Sequence, residues 1–163
     1  MKKLIISMLL AMLMAMTAYA AEMKDAIEIS EGPPINGISE AQEPVYADVT
    51  VSEHEGYLLE RILWAEANDQ GFVGQKAVIE VIFNRLRSPE WPNTIEGVLS
   101  QKGQFATWKD RNKVTPTEIQ SDVISEVLRE TETIIPTDYV YFSTKKHKWM
   151  HDCIRIRGHW FGR

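Results

Sequence analysis

The stretch Ser52–Asn84, SEHEGYLLERILWAEANDQGFVGQKAVIEVIFN, decides how the chain folds. It holds two helical patterns joined by a short turn, Asp69-Gln70-Gly71. Ser52-Glu53-His54-Glu55 is a capping box: a serine accepts from the third helical N–H and the glutamate reaches back. Leu58, Leu59, Ile62, Leu63 and Trp64 then give the first helix, expected to run to about Asn68, an apolar face. Glu66 falls on that face, seven, four and three residues after Leu59, Ile62 and Leu63. A carboxylate among leucines is costly to ionise, and such a group suits general acid work near neutral pH. The alternative is that Glu66 tilts into solvent at the helix end, or pairs with Arg61, Arg85 or Arg87.

Downstream, Ala77, Val78, Val81, Ile82 and Arg85 recur at helical spacing, predicting a second helix from about Val73 to Leu86, ended by Ser88-Pro89. Asn93-Thr94-Ile95-Glu96 opens a short third helix. Gln101–Trp108 has no clear period and predicts a loop, either lining a cleft or simply anchored by Phe105. Thr115-Pro116-Thr117-Glu118 predicts a further helix start with Thr115 as the cap, running to about Glu130. Asp138–Phe142, Cys153–Arg157 and His159–Phe161 are rich in strand formers. The expected fold class is α+β, mainly α, with a small C-terminal antiparallel β element.

Working outward, the 163 residues suggest one domain with extras. Residues 1–20 have a basic start, an apolar run and an Ala18-Tyr19-Ala20 cleavage pattern, the features of a signal peptide. Residues 21–52 form an acidic, Pro-containing stretch, expected to be a flexible linker in which Val45, Tyr46 and Val49 form at most a short docking strand. Residues 53–163 are expected to make the folded domain that carries the activity, if any. The mature protein is thus expected to be secreted, in contact with a membrane only through the leader before cleavage, and monomeric.

Residues 21–53 hold eight acids and one base, while residues 54–163 hold fifteen of each sign. That balance offers no basic face for nucleic acid. Cys153 stands alone, which rules out an intrachain disulfide. His147 and His151 are four apart, but no glutamate follows His147 and the segment does not read as a helix, so no metal and no cofactor are expected. Neither a nucleophile elbow nor a Gly-rich phosphate loop occurs. Acid-driven chemistry is what remains.

Several ordered motifs then resemble one family. Leu58–Ala67 with its Trp64-Ala65-Glu66-Ala67 ending, Phe83-Asn84-Arg85-Leu86-Arg87-Ser88-Pro89, Trp91-Pro92-Asn93-Thr94-Ile95-Glu96-Gly97-Val98, Gln104-Phe105, Tyr139–Phe142 and Gly158–Phe161 together resemble the SleB/CwlJ-like bacterial cell wall hydrolases. The resemblance covers about residues 57–162 and implies a lysozyme-like fold. It implies cleavage of peptidoglycan glycan strands between N-acetylmuramic acid and N-acetylglucosamine, with Glu66 as the acid. Better-known members act on the spore cortex during germination. Trp108-Lys109-Asp110-Arg111 departs from the family's usual stretch.

A glycosidic oxygen leaves only with a proton, and most glycosidases add a second carboxylate. Neither Asp69 nor Asp110 has a good case for that role. A lytic transglycosylase, which forms a 1,6-anhydro ring within the sugar, manages without one. The alternatives are a hydrolytic muramidase using the same acid, and a peptidoglycan-binding or regulatory module without turnover. Candidate substrate-binding residues are Gln104, Phe105, Thr107, Tyr139, Tyr141 and His159. Each of the two tyrosines and His159 has an equally plain role as packed core.

Overall fold

The computed structural model describes residues 42–163, which form one compact unit. The expected signal peptide and the expected linker as far as residue 41 lie outside the described residues. The element order is α1 (Glu53–Ala67), α2 (Gly71–Arg87), α3 (Ile95–Ser100), a 3-10 helix (Ala106–Lys113), α4 (Glu118–Val127), β1 (Tyr141–Ser143), β2 (Ile154–Ile156) and β3 (His159–Gly162). The expected class, mainly α with a small antiparallel sheet, is what the chain builds.

The capping box at Ser52 forms: the Ser52 side chain accepts from the Glu55 N–H, and the Glu55 carboxylate accepts from the Ser52 N–H at 3.0 Å. Leu58, Leu59, Ile62, Leu63 and Ala67 are the buried face of α1. The turn to α2 requires Gly71, whose φ of +64° is left-handed and strained for any other residue.

Helix α2 is buried well beyond the apolar stripe that its periodicity predicts. Every residue from Gly74 to Arg85 is buried, so neighbours surround it on all sides. Buried polar groups must find partners, and the polar residues of α2 each hold one surrounding element. Gln75 accepts from Gln120 of α4 at 2.8 Å. Lys76 bonds Glu126 at 3.0 Å and also Glu130. The Glu80 carboxylate accepts the backbone N–H groups of Ile134 and Ile135, both at 2.9 Å. Burial pushes the Glu80 carboxyl above its ordinary range, and those backbone bonds pull the other way. Asn84 donates to the carbonyls of Tyr139 and Pro136. Arg85 donates to the Val140 carbonyl at 2.7 Å.

Residues 42–51, expected in the linker, belong instead to the compact unit. They make a turn rather than a docking strand. Tyr46 is fully buried, its hydroxyl donates to Asn84 Oδ1 at 2.9 Å, and its ring meets Phe83 edge-on. The Val45 N–H bonds the Glu130 carbonyl at 2.8 Å, and Arg87 pairs with Asp48. The acidic composition hid this anchor because a single aromatic and two valines do the packing.

Helix α4 starts two residues later than its sequence suggests. Thr117, not Thr115, is the cap, and its N–H donates to the Gln120 side chain at 2.8 Å. The helix ends at Val127. The three strands pair in the order β1-β3-β2, all antiparallel, with Phe142 opposite Phe161 and Ile156 opposite His159. Cys153 is half-buried, and its thiol points to the Met150 carbonyl.

Candidate active site

Glu66 sits in the last turn of α1, one residue before the helix ends. Leu59, Ile62 and Leu63 are fully buried behind it, while Glu66 itself is half-buried. The apolar surround expected from periodicity is therefore open on one side. None of the three candidate arginines reaches it. Arg61 donates to the carbonyls of Arg111 and Val114, Arg85 to Val140 and Gln104, and Arg87 to Asp48 and Val45.

What does reach Glu66 is Thr107. Its hydroxyl donates to Glu66 Oε1 at 2.5 Å. The 3-10 helix carries Thr107, and Arg61 bolts that helix to α1 by its two bonds to the segment's C-terminal carbonyls. Within the segment, Arg111 lies over the Trp108 ring and donates to the Trp108 carbonyl at 2.8 Å. The divergent Trp108–Arg111 stretch thus stiffens the strap that brings Thr107 to the acid.

His159, on the sheet, lies within reach of the charges of Asp69 and Glu66. It opens β3, is 5% exposed, and packs edge-on against Phe142 and Phe161. Burial pushes its imidazole below the ordinary histidine value, opposed by the nearby charges of Asp69 and Glu66. Its Nδ1 is buried without a partner. The β2–β3 turn holds it there: the Gly158 N–H donates to Gln70 Oε1 at 2.7 Å, joining that turn to the loop between α1 and α2. Gln70 Nε2 in turn donates to Asp69 Oδ1 at 2.5 Å.

A cleft of about 370 Å³ lies between β1 and the loop before the 3-10 helix. Arg85, Gln104, Tyr141, Ser143, His147 and Trp149 line it. Tyr141 touches Trp91 and Trp149 edge-on, with ring centres 5.6 and 5.0 Å apart, and His147 stacks on Trp149 at 5.1 Å. His147 Nε2 and Ser143 Oγ are 3.0 Å apart. Glu66, Thr107 and His159 do not line this cleft. The ring contacts Phe105–Phe142 at 5.9 Å and Phe142–His159 at 5.5 Å connect it to them.

The expected site residues therefore divide. Thr107 bonds Glu66 and His159 lies within reach of its charge, while Gln104 and Tyr141 line the cleft. Phe105 is buried and supports both from beneath. Tyr139 is displaced from the proposed role: it precedes β1 instead of sharing a strand face with Tyr141, and at 6% exposure its ring is core. Arg85, Trp91 and Trp149 were not singled out as site residues. Arg85 carried a signal, a charged residue on the inward stripe of α2. Trp149 carried none beyond its type, since the segment 147–151 has no period.

A helical domain with a buried central helix and a small antiparallel sheet packed against that helix is a lysozyme-like arrangement. The chain belongs to the cell wall hydrolase family, whose model matches residues 69–162 and so begins three residues after Glu66. The spore cortex-lytic enzyme of Halalkalibacterium halodurans is 32% identical over 78 residues, 47% of this chain and 24% of that protein. The spore cortex-lytic enzyme of Bacillus cereus is 28% identical over 102 residues, 61% of this chain and 39% of that protein. This chain thus spans about a quarter to two fifths of the length of these curated relatives. The solved catalytic domain of the germination-specific lytic transglycosylase SleB from Bacillus anthracis shares the fold, with a TM-score of 0.60 at 23% identity, covering 69% of this chain and 96% of that one.

Proposed function

We propose that this protein cleaves peptidoglycan glycan strands between N-acetylmuramic acid and N-acetylglucosamine, with Glu66 as general acid and then base. One observation carries the reading. Glu66 is half-buried, free of any cationic partner among the described residues, and held at one oxygen by Thr107. A carboxyl fixed at Oε1 leaves Oε2 to exchange a proton with substrate.

In the lytic transglycosylase form, Glu66 protonates the glycosidic oxygen as the bond from the muramyl C1 breaks. The carboxylate then takes the proton of the same sugar's C6 hydroxyl. The C6 oxygen closes onto C1, giving a 1,6-anhydro end with no water consumed, and Glu66 regains its proton. Confinement within one sugar replaces a positioned water and the carboxylate that would hold it. Kinship with spore cortex-lytic enzymes supports peptidoglycan as the substrate, the cortex included, and an extracytoplasmic place of action.

The test is to digest purified peptidoglycan with the wild type and with Glu66→Gln, and to analyse the products by mass spectrometry. Anhydro-muropeptides from the wild type and none from a folded Glu66→Gln protein are expected, because the amide has no proton to give. Reducing muramyl ends replace the transglycosylase by a muramidase. Intact glycan bound by both proteins makes this a binding module.

A further inference from the structure

The cleft between β1 and the loop before the 3-10 helix contains a buried cation with no carboxylate to balance it among the described residues. Arg85 is 2% exposed, and no carboxylate among the described residues pairs with it. Its Nε is used by the Val140 carbonyl and its Nη2 by Gln104 Oε1 at 3.1 Å, but Nη1 is buried without an acceptor. The Trp91 and Phe105 rings lie 4.1 and 5.3 Å from the guanidinium carbon. They offset part of its desolvation, yet neither offers Nη1 an acceptor. Desolvation lowers the guanidinium pKa to about 10, still far above any working pH, so the charge stays.

A buried charge without a counter-ion is costly and is ordinarily paired. Arg85 also lines a cleft whose other ionisable lining groups are His147 and Tyr141, with no acid among them. Lys145, Lys146 and Lys148 flank its mouth in sequence and are exposed. Trp149 is 53% exposed and presents a ring at the same cleft, a surface on which a sugar stacks.

We infer that the Arg85 cleft is a carboxylate-binding subsite, in which Nη1 takes an oxygen of a carboxylate carried by a muramyl residue while Trp149 and Tyr141 contact its ring. This rests on the glycan reading above and deepens it. In peptidoglycan the carboxylate has two sources: the lactyl group of a muramyl residue without its peptide, or an acidic residue of the stem peptide. A neutral glucosaminyl unit has neither, so the subsite also sets which sugar occupies it.

The test is an NMR titration of the full chain with four probes: N-acetylmuramic acid, its primary amide, N-acetylglucosamine, and N-acetylmuramyl-L-alanyl-D-glutamate. At least tenfold tighter binding of one of the two carboxylate-bearing probes than of the amide is expected. Preference for the monosaccharide acid assigns the lactyl carboxylate; preference for the dipeptide assigns the stem peptide. Arg85→Met should erase the preference. Because Arg85 also holds Val140, that variant can fail to fold, and Gln104→Glu then decides: it leaves Arg85 in place but supplies an internal carboxylate. Loss of the preference in Gln104→Glu is expected. Equal binding of acids and amide by the wild type, or an undiminished preference in Gln104→Glu, overturns the subsite. Wild-type cleavage of peptidoglycan without any carboxylate preference overturns the subsite alone. A preference without cleavage overturns the glycosidase alone.

Discussion

The Thr107 hydroxyl donates to Glu66 Oε1 at 2.5 Å, and so the 3-10 helix determines where the acid at the end of α1 points. A hydrogen bond to a group that becomes charged during the reaction is worth about 1.5–3 kcal/mol in the transition state. Replacing Thr107 by Val keeps the shape and removes the donor. On the glycosidase reading, the turnover of peptidoglycan should fall about ten- to hundredfold, by the same energy converted at 1.4 kcal/mol per factor of ten. Thr107→Ser should retain most of the activity. The melting temperature should change little, because the bond lies at a half-exposed helix end. Unchanged turnover in Thr107→Val removes Thr107 from the site.

The Gly158–Gln70 contact makes a second prediction, about how the sheet is held to the helices. A Cβ at Gly158 would stand 2.6 Å from Gln70 Oε1 and 3.0 Å from Nε2. Gln70 can swing away, but only by breaking its bond to the Gly158 N–H. Gly158→Ala should therefore cost about 0.5–1.5 kcal/mol, the net worth of a hydrogen bond that water can partly replace at this half-exposed turn. Differential scanning calorimetry would read this as a drop of several degrees. Activity should fall further than stability does, since the same turn places His159 within reach of the Glu66 charge. Gly158→Ala with wild-type melting would show that Gln70 does not pin the turn.

The fold was legible where local pattern and burial agree. The Ser52 capping box, the leucines of α1 and the strand formers near the C-terminus each point to one outcome, and each gives it. Burial on every side of α2 was not legible. Gln75, Lys76, Glu80 and Asn84 fall outside the apolar stripe in sequence, and only their partners, 45 to 55 residues away, show that this side is buried too. The site was half legible for the same reason. Glu66 stands out by helical spacing, but the strap that meets it and the sheet that carries His159 come from distant stretches with no period of their own.

Tyr46 tests the reassigned boundary. Tyr46→Phe keeps the ring against Phe83 and removes the donor to Asn84 Oδ1. A buried acceptor left unmade costs about 1–3 kcal/mol. Asn84 also orients the backbone at Tyr139, so the loss should reach the start of β1. Urea denaturation should show a lower midpoint with an unchanged slope, because the surface exposed on unfolding is the same. Removing residues up to Thr50 should destabilise more than Tyr46→Phe, since the contacts of Val45 and Val49 with the core go too. If that shortened chain melts like the full one, the domain begins where its composition suggests, near residue 53.

His159 gives the fold a pH dependence whose sign can be worked out. Burial depresses its folded-state pKa below the ordinary histidine value of about 6.5, despite the pull of Asp69 and Glu66. In the window between the depressed value and about 6.5, the unfolded chain binds a proton that the folded chain refuses. Stability from this group is thus fully present above about pH 6.5 and is lost as the pH falls through that window. The imidazolium would have to form in a buried site packed against Phe142 and Phe161, with Nδ1 lacking a hydrogen-bond partner. Melting temperatures of the wild type, measured from pH 7.5 to 5, should fall as acid is added. The corresponding fall in His159→Gln should be smaller, because the amide does not titrate. Carboxylates elsewhere act in both proteins alike, so the difference between the two curves isolates the histidine. A difference that stays flat across the range would show that His159 does not lose its proton on folding, and that the neighbouring acids outweigh its burial.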